Sequence, residues 1–135
     1  MFKKLSNIGD CGIVCDFGNE VNQKINTEVI KLFYYVRQQT FNQNLEGILN
    51  CTPSYNKLII NFDLKKINAT KILNFLKSID FTKLKLSQNK KKWTIPICYD
   101  FAMDLENMSK VLKIDKDEII NIHSKTVFFI YMIGF

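Results

Sequence analysis

Two stretches of this sequence carry a single apolar stripe at helical spacing, and no other feature constrains the fold as much. From Asn22 the residues Ile25, Val29, Leu32, Phe33 and Val36 recur at spacings of three and four, and after Asn68 the residues Ile72, Leu73, Leu76 and Ile79 repeat the pattern. A helix with one apolar stripe buries one face, so both helices need a partner surface. Strand signals precede each of them. Lys3 to Ile8 and Gly12 to Phe17, broken at Gly9-Asp10 and closed by Gly18-Asn19, come before the first helix. Leu45 to Cys51 and Lys57 to Asp63, joined by a turn over Thr52-Pro53-Ser54-Tyr55-Asn56, come before the second, and Leu58, Ile60 and Phe62 share one strand face. The spacing predicts a long helix from Asn22 to near Gln39 and a second helix capped by Asn68. The order β-β-α-β-β-α buries both stripes when the helices lie on one side of a four-stranded antiparallel sheet. The predicted fold is therefore α+β, a two-layer sandwich over residues 1–81.

The lysines at 83, 85, 90, 91 and 92 mark residues 82–92 as a solvated linker. Beyond it, residues 93–135 read as a strand-helix-helix-strand extension. Trp93 to Tyr99 is a strand and Asp104 to Lys113 a short helix. Asp115 and Glu118, at capping-box spacing, open a second short helix running to His123. The last ten residues, Thr126 to Phe135, form an apolar strand. Such an edge asks to be paired, so self-association through Val127 to Phe135 and further chain beyond Phe135 are both expected.

Length and charge narrow the class. At 135 residues the chain has room for one core. A net charge of +6 would point to nucleic acid, but it comes from 18 Lys and a single Arg, Arg37, so the forked base and phosphate contacts that guanidinium supplies are missing. The 18 Ile and 14 Asn beside those lysines trace to A/T-rich codons, and no nucleic-acid partner is expected. The longest apolar run falls short of the roughly 20 residues of a membrane span, and the amino end has no apolar signal core, so a cytoplasmic protein with no membrane partner is expected.

Phosphate-cradling loops need clustered glycines, and those here, at positions 9, 12, 18, 47 and 134, are dispersed. No cofactor is expected in this chain. Cys11, Cys15, Cys51 and Cys98 are scattered with one histidine, which argues against a zinc site. Four residues of strand cover about 13 Å, beyond the roughly 4.4 to 6.8 Å a disulfide spans between Cα atoms, so Cys11 and Cys15 read as reduced core residues. The cluster Phe33, Tyr34, Tyr35 and Phe41 reads as core and helix surface. His123 is the obvious general acid or base, with Ser124 beside it and Asp100 and Asp104 as orienting carboxylates. The structural alternative is a helix-end histidine whose ring bonds backbone carbonyls and packs against Phe128.

Four segments in order, G-D-C-G-I-V-C-D-F-G, L-E-G-I-L-N-C-T-P-S-Y-N-K-L-I-I-N-F-D, I-P-I-C-Y-D and H-S-K-T-V-F-F-I-Y-M-I-G-F, together resemble the family of the B component of 5-oxoprolinase, also called KipI or allophanate hydrolase subunit 1. The resemblance runs from Gly9 to Phe135, and Y-D-F-A-M-D-L departs from the family's glycine-bearing loop. It implies an amino-terminal α+β domain followed by a cyclophilin-like domain, of which this sequence reaches only the entry. It also implies action with the C component of 5-oxoprolinase, and usually the A component, in opening 5-oxoproline to glutamate with ATP, the nucleotide belonging to the assembled complex. One branch of the family instead inhibits a sporulation histidine kinase, and related modules are fused to urea-degrading enzymes. By position the resemblance makes His123 and Ser124 candidate catalytic residues, and Cys98, Tyr99 and Asp100 candidate substrate or interface residues.

Overall fold

Six elements build a sheet with helices packed on it, in a computed structural model that describes residues 2–86 and 91–133. They are β1 (Lys4–Asn7), β2 (Gly12–Asp16), α1 (Gln23–Phe41), β3 (Ile48–Pro53), β4 (Lys57–Phe62) and α2 (Ala69–Lys77). The strands run antiparallel in the order β1-β2-β4-β3, so the two hairpins join through their second strands, β2 and β4. Cys15 stands opposite Leu58 and Ile13 opposite Ile60, which puts the apolar residues of both central strands on one face. Ile13, Cys15, Leu58 and Ile60 are completely buried there, in one cluster with Val29 and Leu32 of α1 and Ile72 and Leu76 of α2. The two-layer α+β sandwich expected from the stripes is the architecture observed.

Local chemistry sets the ends of these elements. Asn22 Oδ1 accepts from Lys24 N at 2.8 Å and Asn68 Oδ1 from Lys71 N at 2.9 Å, capping both helices as short polar side chains do. Helix α1 runs two residues past the expected Gln39 and stops where Gln43 turns left-handed, at φ 62°. β3 starts at Ile48 rather than Leu45. Leu45 is buried in the preceding turn, and Gly47, at φ 106°, sits where an added Cβ would lie 2.8 Å from Ile67 and Lys66. A bulge between Ile48 and Asn50 leaves Leu49 out of the ladder. The β3–β4 turn is tighter than expected, because Pro53 still belongs to the edge strand and Ser54 N donates to Lys57 O at 2.8 Å.

Buried polar groups sit at one end of this core. Asn26, on the apolar face of α1, donates its amide to Tyr131 O at 2.9 Å and to Ser54 O at 3.2 Å, with Tyr55 O at 3.4 Å. Asn56 is also buried, yet neither Nδ2 nor Oδ1 has a hydrogen-bond partner among the described residues. On the opposite sheet face the cross-strand pair Asp16 and Lys57 is bridged at 2.9 Å.

The lysine-rich segment begins inside the packed unit. Phe81–Lys83 forms a 3-10 turn, Phe81 meets Phe2 and Phe17 edge-on at 5.5 and 6.0 Å, and Leu84 is buried. Apolar Phe81 and Leu84 override the charge pattern around them; residues 87–90 of the expected linker lie outside the described residues. None of the four cysteines is in a disulfide; Cys15 is buried and Cys51 half-buried, but Cys11 is exposed in the β1–β2 turn and not in the core. In the aromatic cluster, Phe33, Tyr34 and Tyr35 are half-buried and Phe41 is exposed.

The chain divides into a unit of Met1–Gln88 with Tyr131–Phe135 and a second unit of Asn89–Ile130. The second contains α3 (Leu105–Leu112) and α4 (Lys116–Lys125), packed on each other. Lys113, left-handed at φ 56°, ends α3, and Ser109 Oγ donates to Ile114 O at 2.7 Å across the turn. The expected capping box does not form, since Asp115 makes no side-chain bond to the helix; Asp117 and Glu118 still favour the first turn of α4 through its dipole. Two strand expectations are corrected. Trp93 to Tyr99 and residues 126–133 are in no strand among the described residues, and Gly134 and Phe135 lie outside them. β propensity makes a strand only where a ladder partner is present, and Trp93, Ile95, Val127 and Phe128 stay exposed.

Candidate functional site

The second unit brings together two segments that are far apart in sequence. Tyr99 closes the extended segment after Pro96, and its carbonyl accepts from Ala102 N at 3.1 Å as the chain turns toward α3. His123 stands in the last turn of α4, where Ile119 is the buried anchor. Tyr99 Oη and His123 Nδ1 form a hydrogen bond of 2.8 Å. The rings meet edge-on, with centroids 6.0 Å apart at 87°, and the Phe128 ring packs tilted against the imidazole with centroids 5.5 Å apart.

Two of the expectations about His123 change here. The ring bonds the Tyr99 phenol, not backbone carbonyls, and the phenol takes the orienting place expected of Asp100 or Asp104; the packing against Phe128 is as expected. Ser124 Oγ turns back to Asn121 O at 3.3 Å, so no hydrogen bond among the described residues couples it to His123. Cys98 Sγ and Asp100 Oδ2 are 3.9 Å apart, flanking Tyr99 on the exposed side of the segment. A phenol on one ring nitrogen leaves the other for proton exchange with a bound molecule, which is what a general acid or base requires.

Elsewhere the electrostatics are structural. Burial pushes the Cys15 thiol up to about 12 and the Cys51 thiol up to about 11, holding both neutral. The Lys57 ammonium, helped by the Gly18 N–H, holds the Asp16 carboxyl below the usual carboxylate range. Glu106 raises Lys116, its ion-pair partner between α3 and α4. Among the described residues no three His, Cys, Asp or Glu side chains cluster to hold a metal ion, and no helix is long and apolar enough to cross a membrane. Asn26 was missed from sequence; the available signal was a polar residue within the apolar stripe of α1.

Over residues 3–135 the sequence matches the carboxyltransferase domain, subdomains C and D. It is 24% identical over 145 residues to the B component of 5-oxoprolinase from Bacillus subtilis (strain 168), covering 98% of this chain and 59% of that protein, so the chain spans about three fifths of that relative's length. The crystal structure of TTHA0988 superposes on 91% of this chain and 23% of its own, with a TM-score of 0.69 and 20% identity, a likeness of fold. The N-terminal domain of the histidine kinase inhibitor KipI from Bacillus subtilis is 24% identical over 56% of this chain and 68% of its own, with a TM-score of 0.40.

Proposed function

This chain belongs to the carboxyltransferase-domain family of subdomains C and D, the family that includes the B component of 5-oxoprolinase, and from that membership we propose that it is the B component of an ATP-dependent 5-oxoprolinase. With the A and C components it converts 5-oxoproline to glutamate, and ATP is handled by the assembled complex. Opening the lactam adds water across the amide bond. The hydroxyl joins the carbonyl carbon, and a proton reaches the nitrogen as the carbon–nitrogen bond breaks.

The observation that carries a part for this chain is the Tyr99–His123 hydrogen bond. With the phenol donating to Nδ1, the neutral imidazole carries its proton on Nε2 and offers it to a bound molecule as a hydrogen bond. With Nδ1–H donating to the phenol oxygen, Nε2 is a base. In the second tautomer Nε2 takes a proton from the attacking water, and the imidazolium so formed passes it to the lactam nitrogen as the carbon–nitrogen bond breaks. Cys98 and Asp100 are contacts to substrate or to the C component, and Ser124, engaged with a helix carbonyl, is a hydrogen-bonding contact and not a nucleophile.

The test is glutamate formation from 5-oxoproline and ATP by the A and C components with and without this chain. Activity that requires the chain, and falls with His123→Ala, is expected. A chain that adds nothing to turnover and instead suppresses autophosphorylation of a histidine kinase overturns the reading.

A further inference from the structure

Two grooves meet along the C-terminal half of α1. One, of about 420 Å³, lies between Phe33, Arg37 and Phe41 of the helix and Leu49 and Cys51 of β3. The other, of about 650 Å³, lies between Tyr34 and Tyr35 and the segment carrying Lys83 and Lys85. Arg37 and Phe41 line both, so the grooves share a wall.

The charge of this surface has one sign. Arg37, Lys83 and Lys85 line it, and no carboxylate among the described residues does. Lys83 is 3.6 Å from Asp80, while neither Arg37 nor Lys85 has an ion pair among the described residues. The Arg37 guanidinium is held 5.4 Å over the Phe33 ring, which orients the fork without using its hydrogen bonds. Next to it stand two large apolar side chains left to solvent, Phe41 at 88% exposure and Leu49, thrust out by the bulge, at 70%. β3 is an edge strand, so its outer backbone has no strand partner among the described residues.

We propose that this face docks an acidic, extended segment of a partner protein, with its carboxylates on Arg37 and Lys85 and an apolar side chain over Phe41 and Leu49. Charge complementarity selects the acidic sequence, and the edge strand selects the extended form. Nucleic acid suits the surface less well, because phosphates would leave Phe41 and Leu49 uncovered. Docking here is independent of the Tyr99–His123 reading, since neither residue lines a groove.

The probe is a fluorescein-labelled peptide, Asp-Glu-Asp-Leu-Phe-Glu-Asp-Glu, titrated with the chain and followed by anisotropy. Saturable binding that weakens as salt rises is expected. Arg37→Glu should weaken it by about tenfold or more and Phe41→Ala by several fold, while the Asn/Gln version of the peptide should not bind. Lys65→Glu makes the same kind of charge reversal at an exposed position lining neither groove, and should change affinity by less than about twofold. Arg37 and Phe41 are exposed, so both variants should keep the parent melting temperature. Absence of saturable binding, equal loss in Arg37→Glu and Lys65→Glu, or displacement of the peptide by oligothymidylate at lower concentration than by unlabelled peptide overturns the proposal.

Discussion

The hydroxyl oxygen of Tyr99 lies 2.8 Å from Nδ1 of His123, joining two segments of the second unit that are far apart in sequence. The pair separates a chemical role from a structural one. His123 is exposed and its ring makes one side-chain hydrogen bond among the described residues, so His123→Ala should leave the melting temperature nearly unchanged. In the complex with the A and C components it should reduce turnover by roughly 10² or more. Tyr99→Phe keeps the ring contact and removes the hydrogen bond, so a smaller fall in turnover is expected. Steady-state assays of both variants check this, and unchanged turnover in His123→Ala removes the residue from the site.

Asn26 and Asn56 should respond in opposite ways to loss of their amides. Asn26 is buried and donates to carbonyls of two distant segments, so Asn26→Ala loses these hydrogen bonds and should destabilise the fold by about 1–3 kcal/mol. The Asn56 side chain makes no hydrogen bond among the described residues, so Asn56→Leu should be neutral or stabilising. Urea unfolding of both variants gives the comparison, and a loss of stability in Asn56→Leu as large as that in Asn26→Ala contradicts it.

The Asp16–Lys57 pair sets an acid limit. Its folded carboxyl is held below the ordinary value of 3.8, so its contribution is present above that pH and fades as pH falls through the lower folded value. Both side chains are about one third exposed, which limits the pair to roughly 0.2–1 kcal/mol. Asp16→Asn should therefore be less stable than the parent at pH 7, with the difference shrinking below about pH 4. Thermal melts across that range test the sign.

Thiol chemistry should divide the cysteines in two. Cys11 and Cys98 are exposed, whereas burial holds Cys15 and Cys51 at about 12 and 11. At pH 8 a disulfide reagent should label Cys11 and Cys98 quickly, and Cys15 and Cys51 only on unfolding. Peptide mapping of the labelled protein tests this, and rapid labelling of Cys51 in the folded chain contradicts it.

Sequence alone determined the elements of the sandwich, because a helix stripe and a strand alternation are local periodicities that residues such as Val29, Leu32 and Ile60 express wherever the chain folds. It also determined the Asn68 cap, since its acceptor and the Lys71 N–H are three residues apart. Only the tertiary structure decided what depends on closing a long loop. The β2–β4 pairing, the reach of Asn26 to Tyr131 and the meeting of Tyr99 with His123 each join residues far apart in the chain, and no local pattern marks either partner. The same reason accounts for the segments whose structure departs from their local pattern. Trp93 to Tyr99 has strand composition without a ladder, and Leu84 lies among lysines yet is buried, because pairing and burial are properties of the neighbours that packing supplies.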